Sequence, residues 1–263
     1  MIIPADAQNQ LHDNGFVVIR DFVQPDVLNE LFVDIAKVFS YQFERHGIAH
    51  SKADDIETLE QNIAALFAAN FDAFLGCNRQ CQQLFSLYSM FINAANQTLV
   101  KSLGLEMPTV CVKPILYINS PRISEHEFHY KTPAHQDWRS MQGSHNSIVQ
   151  WLPLVNMYES LGALEILPKS HLKGMLKTEE HPWYRQIAPQ QLEGQTFQDV
   201  ILNKGDLLVF SAYLVHQSGE ITTNRFRWSC HFRMNDVGES AFIDRNYPHP
   251  YKVFIPYDIH QEY

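Results

Sequence analysis

The stretch Thr132-Pro133-Ala134-His135-Gln136-Asp137-Trp138 sets an imidazole and a carboxylate two residues apart. On an extended strand, residues i and i+2 project to one face, so His135 and Asp137 are expected to address a single cation. A third ligand has to come from elsewhere. The segment from Gly205 to His216 reads as a tight turn followed by a buried strand that ends at His216. Two histidines and one carboxylate on one face, with coordination positions left open, suit ferrous iron in dioxygen chemistry. Further on, Arg225-Phe226-Arg227-Trp228-Ser229 brings a guanidinium, whose fork of donors matches a carboxylate, and a hydroxyl on the same strand face. Arg227 with Ser229 would suit the far carboxylate of 2-oxoglutarate. Arg225, Arg227 and Arg233 share strand parity, so alternation alone does not choose among them.

The elements that must position these groups follow from hydrophobic period. Gly15 to Phe22 reads as a short β-branched strand. Pro25-Asp26 then opens a helical pattern carrying Leu28, Leu31, Phe32, Ile35, Val38 and Phe39. Further helical stretches around Leu59 to Phe67 and Leu84 to Leu99 complete a helical first third whose apolar stripes face a sheet. From Thr109 the texture changes to short strands: Val110 to Ile118, Ser147 to Val155, Ala163 to Leu167, Val200 to Leu202, Asp206 to Phe210 and Phe226 to Met234. The expected fold is mostly β with flanking helices, a double-stranded β-helix (jelly roll, cupin-like) core under an N-terminal helical layer. The chain is expected to form one domain over residues 1–263, with the strand and helical layer in 1–108, the jelly roll in 109–236 and a C-terminal wrap in 237–263. Residues 119–134 and 170–196 are expected to be long irregular segments forming the rim and lid of a site.

Taken in order, His135-Gln136-Asp137, Trp151-Leu152-Pro153-Leu154, Gly162 to His171, Gly205-Asp206 and His216-Gln217-Ser218 with Arg227 resemble the phytanoyl-CoA dioxygenase-like family of Fe(II)- and 2-oxoglutarate-dependent oxygenases. The opening strand from Gly15 to Phe22 is similar to that family's first strand. The resemblance implies Fe(II) on His135, Asp137 and His216, with 2-oxoglutarate and dioxygen as co-substrates. It favours Arg227 among the three arginines, sets Trp151 beside the co-substrate, and leaves Tyr117, Ser218 and, more weakly, Lys113 as further contacts. The implied reaction hydroxylates an unactivated C–H bond of a small molecule and releases succinate and CO2. Asp137 fills the position that halogenating relatives leave small, so halogenation is not expected. Desaturation, ring closure and epimerisation share the oxidant and stay open. The chain departs from the family pattern at Lys169, where glycine is commoner, and at Ile221, where a polar residue is.

With 263 residues and 45% hydrophobic content the chain can bury a large core. A formal charge of −9 argues against a nucleic-acid footprint. Cys77, Cys81, Cys111 and Cys230 lack zinc-type spacing and fit reduced thiols in a cytoplasmic protein. No run of eighteen apolar residues points to a membrane. Among the remaining histidines, His126 and His129 are expected in a loop above the iron and His231 at the core or rim. His145 and His171 have structural surroundings, and His260-Gln261-Glu262 reads as tail. Trp138, Arg139 and Gln142 follow the metal motif and are candidate substrate contacts. Two other readings remain: a cupin-type metalloenzyme that does not use 2-oxoglutarate, and a non-catalytic jelly roll binding a small molecule or partner.

Overall fold

The first hundred residues fold largely as helices because their apolar positions recur every three to four residues, whereas the later ones alternate and pair as antiparallel sheet. The computed structural model describes residues 1–51, 55–180 and 185–250. Helix α1 (Ala7–Asn14) and strand β1 (Phe16–Ile19) precede α2 (Pro25–Arg45), which has proline in its first turn and buries Leu28, Leu31, Ile35, Phe39 and Phe43. Then come α3 (Ile56–Ala69), α4 (Phe71–Cys81), α5 (Phe85–Ser89) and α6 (Ala94–Ser102). The side chains of Asp55, Asn70 and Asn93 accept backbone N–H groups at the starts of α3, α4 and α6. The sequence reading missed α1 and α4, and the stripe from Leu84 to Leu99 divides into α5 and α6.

The β part comprises β2 (Pro108–Asn119), β3 (Ile148–Pro153), β4 (Leu164–Ile166), the hairpin of β5 (Thr178–Glu180) and β6 (Arg185–Ile187), β7 (Gln198–Val200), β8 (Leu207–Ser211), β9 (His216–Ser218) and β10 (Arg227–Asp236). A short helix, α7 (Trp138–Met141), precedes β3, and α8 (Ser240–Asp244) follows β10. Antiparallel pairing gives a larger sheet in the order β1-β8-β3-β10-β2 and a smaller one, β7-β4-β9. These are the two sheets of a jelly roll.

Alternation divides the larger sheet's faces into two cores. Val17, Ile19, Val209, Leu152, Trp228 and Phe232 pack outward on the helical layer. Val149, Trp151, Leu208 and Phe210 face inward, where they meet Leu164, Ile166 and Val200 of the smaller sheet. The helices are clipped to the sheet by polar side chains as well. Asn96 and Gln150, both buried, exchange amide hydrogen bonds of 3.0 and 2.6 Å. Glu60 on α3 accepts the Trp228 indole N–H at 3.0 Å. Asp206 of the Gly205-Asp206 turn holds Arg20 at 2.6 Å and the backbone N–H of Asp21 at 3.0 Å.

Three expectations need correction. The strand from Gly205 does not run through to His216: β8 stops at Ser211, the chain turns over 212–215, and His216 opens β9 in the other sheet. A continuous apolar run carries no mark of the point at which a strand changes sheets. Residues 119–134 and 170–196 are less irregular than expected, since they include short 3-10 turns and the β5–β6 hairpin. Within the expected C-terminal wrap of 237–263, α8 replaces an extended course over 240–244, and residues 251–263, with His260-Gln261-Glu262, lie outside the described residues.

Lys169 bears out its oddity. It takes a left-handed φ of 65°, the conformation that glycine accommodates most easily, and its backbone N–H donates to Asn14.

Candidate metal and co-substrate site

His135 and His216 face each other as a hydrogen-bonded antiparallel bridge, N···O 3.0 and 3.1 Å, which sends both imidazoles to one side with ring centroids 4.1 Å apart. Each Nδ1 lies within hydrogen-bond distance of a backbone carbonyl, Pro133 at 2.8 Å and Leu214 at 3.0 Å. A carbonyl only accepts, so Nδ1 carries a proton in both rings and Nε2 is the nitrogen left to address a metal.

Asp137 joins them by a different geometry from the one expected. It is not a strand partner of His135. Its backbone is helical and caps α7, and the turn swings its carboxylate back to the histidines. The three ligand atoms lie within 4.8 Å of one another. Asp137 is buried, its Oδ2 has no hydrogen-bond partner, and that oxygen stands 3.6 Å from Nε2 of His216. Burial alone would raise the Asp137 pKa, but the Arg233 guanidinium, with His216 and His135 beside it, outweighs burial and holds the carboxyl well below its ordinary value. Burial pulls the His216 pKa down to about 3, and neighbouring His135 adds to the effect. Two imidazoles held through Nδ1 and one ionised carboxylate, whose free oxygen faces them, are a donor set that fits Fe(II).

Gln136 points away from the ligands and locks the loop that carries them. Its amide donates to the carbonyls of Tyr213 at 2.6 Å and Gly174 at 2.8 Å and accepts the N–H of Leu176 at 2.8 Å.

Arg227 opens β10 and turns into the jelly roll, 6% exposed. Its guanidinium donates to Gly162 O at 2.6 Å, Tyr130 O at 2.9 Å and Ser218 Oγ at 3.2 Å. Among the described residues no carboxylate pairs with it, and burial pulls its pKa to about 10, so it stays cationic at neutral pH. A buried cation held only by neutral acceptors is a natural seat for an anion. Gly162 is required here: φ is +72°, and a Cβ would come within 3.1 Å of Arg227 Nη1.

The other expected residues share this face by register. Ser229 lies opposite Tyr117 on β2 and Pro153 on β3, and His231 lies opposite Trp151. Trp151 belongs to the inner core cluster, and Tyr117 sets its ring 4.5 Å from that of His231. Ser218, on β9, reaches the same place through Arg227. Lys113 is exposed on β2.

Several secondary candidates fall elsewhere. Arg225 precedes the strand and turns outward to Glu60 at 2.7 Å and Glu57 at 2.5 Å. Trp138 is buried, stacks on His145 and Tyr213, and donates to Ser144 O at 3.1 Å. Arg139 ties to Thr178 on β5 at 2.8 Å, and Gln142 is a buried left-handed residue ending α7. His126 and His129 are exposed with ring centroids 5.6 Å apart, and His171 Nε2 meets His12 O at 2.8 Å.

Sequence reasoning weighed Arg233 only as a rival for the co-substrate, set His231 at the core or rim, and passed over Asn119. Arg233 donates from Nε at 3.2 Å and Nη2 at 2.9 Å to Oδ1 of Asp137. His231 lies on the inner face with a buried Nδ1 that has no partner, and Asn119, opposite Arg227, has an orphaned Oδ1. Strand parity with Arg227 was the signal that marked His231 and Arg233 as inward.

A two-sheet jelly roll that gathers two histidines and an aspartate beside a buried, carboxylate-free arginine defines the class of iron- and 2-oxoglutarate-dependent oxygenases. The chain belongs to the phytanoyl-CoA dioxygenase (PhyH) family, whose sequence profile matches residues 11–229. Rattus norvegicus peroxisomal phytanoyl-CoA dioxygenase is 22% identical over 255 residues, covering 89% of this chain and 70% of that protein. The Homo sapiens enzyme is 28% identical over 140 residues, 49% of this chain and 41% of its own. Among solved structures, the α-ketoglutarate-dependent carbocyclase SnoK from nogalamycin biosynthesis aligns with a TM-score of 0.55 at 12% identity, covering 96% of this chain and 94% of SnoK. EctD from S. alaskensis, solved with 2-oxoglutarate and 5-hydroxyectoine, aligns with 0.54 at 14%, covering 90% and 77%. The epimerase SnoN, solved with Fe3+, α-ketoglutarate and nogalamycin RO, aligns with 0.51 at 13%, covering 95% and 91%. At such identities the structural likeness speaks to fold; the family profile and the triad make this chain an oxygenase that uses Fe(II) and 2-oxoglutarate. No helix among the described residues is long and apolar enough to cross a membrane.

Proposed function

We propose that this chain, acting as one oxygenase domain, hydroxylates an unactivated C–H bond of a small molecule. In this reading His135, Asp137 and His216 hold Fe(II). Arg227 receives the far carboxylate of 2-oxoglutarate, Ser218 and Ser229 supply hydroxyls beside it, and Trp151 and Tyr117 wall the co-substrate in. The observation that carries the reading is Arg227, a buried cation with no carboxylate partner among the described residues, on the same inner face as the arginine that holds Asp137.

Bound iron and 2-oxoglutarate supply the oxidant: dioxygen is consumed, 2-oxoglutarate loses CO2 to become succinate with one oxygen atom, and the other enters the substrate C–H bond. The chain's own residues place and protect. Each imidazole engages the Pro133 or Leu214 carbonyl through Nδ1, which leaves Nε2 as the nitrogen offered to the metal. Gln136 keeps the ligand loop from swinging away. Val149, Leu208 and Phe210 keep the interior apolar and limit the entry of water. Hydroxylation asks nothing of the protein beyond this placement, whereas epimerisation needs a group that returns a hydrogen atom to the opposite face. The substrate is a small molecule, in keeping with the nogalamycin and ectoine compounds bound by SnoN and EctD.

The test is optical. Anaerobic protein loaded with Fe(II) should develop a weak visible charge-transfer band on adding 2-oxoglutarate, and admitting oxygen should then yield succinate. A cupin-type enzyme independent of 2-oxoglutarate, or a non-catalytic binding protein, gives neither.

A further inference from the structure

We propose that Arg233 is a positioning residue that fixes Asp137 as a one-oxygen metal ligand, and thereby sets how many coordination positions the centre keeps for its other ligands. The proposal rests on the reading of His135, Asp137 and His216 as the iron site.

Two guanidinium donors of Arg233 converge on one oxygen of Asp137. Nε and Nη2 of Arg233 donate to Oδ1 at 3.2 and 2.9 Å, while Oδ2 is left without a hydrogen bond and faces His216. The aspartate main chain is already fixed: its carbonyl accepts from Ser140 and Met141, and the next residue donates to Ala212 O. The freedom that remains lies in the side chain, and its softest part is rotation of the carboxylate about its terminal bond, a roughly two-fold torsion. With Oδ1 clasped, the carboxylate offers Oδ2 alone. Left unclasped, it can turn or present both oxygens and take up a coordination position that the co-substrate or oxidant needs.

The strand is shaped for this contact. Register between β10 and β2 shifts on either side of Arg233, between His231 and Arg233 and again between Arg233 and Met234, whereas pairing with β3 is unbroken, Arg233 lying opposite Val149. Bulges of this kind re-aim a side chain. Arg233 and Asp137 are both buried, at 7% and 5% side-chain exposure, so neither is free to exchange this contact for water.

Two effects of Arg233 on metal affinity oppose each other, which makes the proposal testable. As a cation beside a dication, Arg233 repels the metal, so plain electrostatics predicts tighter binding once it is removed. As a clamp it holds the ligand in place, and removal should weaken binding about 10- to 100-fold, the usual cost of losing a partner behind a metal ligand. The experiment is anaerobic titration of the full chain with Co(II), followed by its visible d–d bands and by calorimetry, for the wild type, Arg233→Met and Arg233→Lys. The expected result is weaker Co(II) binding in Arg233→Met with an altered band shape, and an intermediate affinity in Arg233→Lys, which keeps a charge but loses the planar pair of donors. Equal or tighter binding by folded Arg233→Met, with unchanged bands, overturns the proposal. Should Arg233→Met not fold, Arg233→Lys decides: wild-type affinity and bands overturn the proposal, and a loss of both supports it. A wild type that takes up no Co(II) instead removes the iron-site reading, so the two failures are told apart.

Discussion

Strand β10 carries two chemistries on one backbone. Trp228, Cys230 and Phe232 face the helical layer, where Trp228 packs edge-on against Phe32 at 5.5 Å and Phe232 against Phe91 at 5.3 Å. Arg227, Ser229, His231 and Arg233 face the jelly-roll interior, two of them cations and one an imidazole with an unpartnered Nδ1. The outer face stabilises by burying apolar area against helices. The inner face takes on desolvated charge, which stabilises little unless it is answered by another charge. Asp137 answers Arg233, and Arg227 keeps its charge for a ligand. The lesson is that alternation lets the packed face anchor the strand so that the chemical face need not.

Breaking the inner face should cost function more than fold, most of all at Asp137. Asp137→Ala should abolish succinate formation and leave Arg233 buried without its counter-charge, lowering stability by about 3–5 kcal/mol. Typical domain stability exceeds that loss, so the fold should survive. Added formate should restore part of the Co(II) binding by occupying the vacated place beside Arg233. Ordinary activity with ordinary metal content would remove Asp137 from the site. Arg227→Ala comes next: the KM for 2-oxoglutarate should rise about 30-fold or more, matching the roughly 2 kcal/mol or greater cost of losing one side of a buried charged contact. Metal content should stay nearly intact.

Breaking the outer face should do the reverse. Phe232→Ala removes a ring that is 1% exposed, and urea unfolding should show a loss of about 3–5 kcal/mol with the 2-oxoglutarate KM unchanged. A large KM change would mean that the faces are coupled through the strand. Acid gives a milder and separate probe of the inner face. His216 falls to about 3 through burial, His231 falls well below its ordinary 6.5 for the same reason, and Asp137 is held low chiefly by Arg233 against its own burial. In each case the unfolded chain binds more protons than the folded one over the intervening range, so stability rises with pH there. Metal-free protein should therefore lose on the order of 2 kcal/mol as pH falls from 6.5 to 5. Urea unfolding at a series of pH values reads this, and a flat profile would show that the histidines titrate alike in both states.

What was legible in the sequence follows the same division. His135, Asp137 and His216 were readable because their residue types are rare together and their order is that of the family. The jelly-roll strands were readable from alternation, and Lys169 stood out because it departs from the family's commoner glycine, at what the structure shows to be a left-handed position. Less visible were the sheet change between Ser211 and His216, made by a turn inside an apolar run, and the helical backbone of Asp137, made by a short helix in a mostly polar stretch. The pairing of Arg233 with Asp137 was hidden altogether, since it joins residues far apart in sequence across the roll.

The smallest expected effect separates two arginines that sequence parity left equivalent. Arg225 lies two residues before Arg227, yet it precedes the first residue of β10 and is free to turn outward, where it meets Glu57 and the buried Glu60 of α3. Its side chain is 36% exposed, so solvent screens the pair and the contact is worth about 1 kcal/mol. Arg225→Ala should lower stability by that amount and leave the 2-oxoglutarate KM at the wild-type value. Glu60 would keep the Trp228 N–H, so α3 stays attached to the strand. If the KM instead rose as far as in Arg227→Ala, the outward ion pairs would give way to the co-substrate in solution, and the inner face of β10 would begin one turn of the chain earlier.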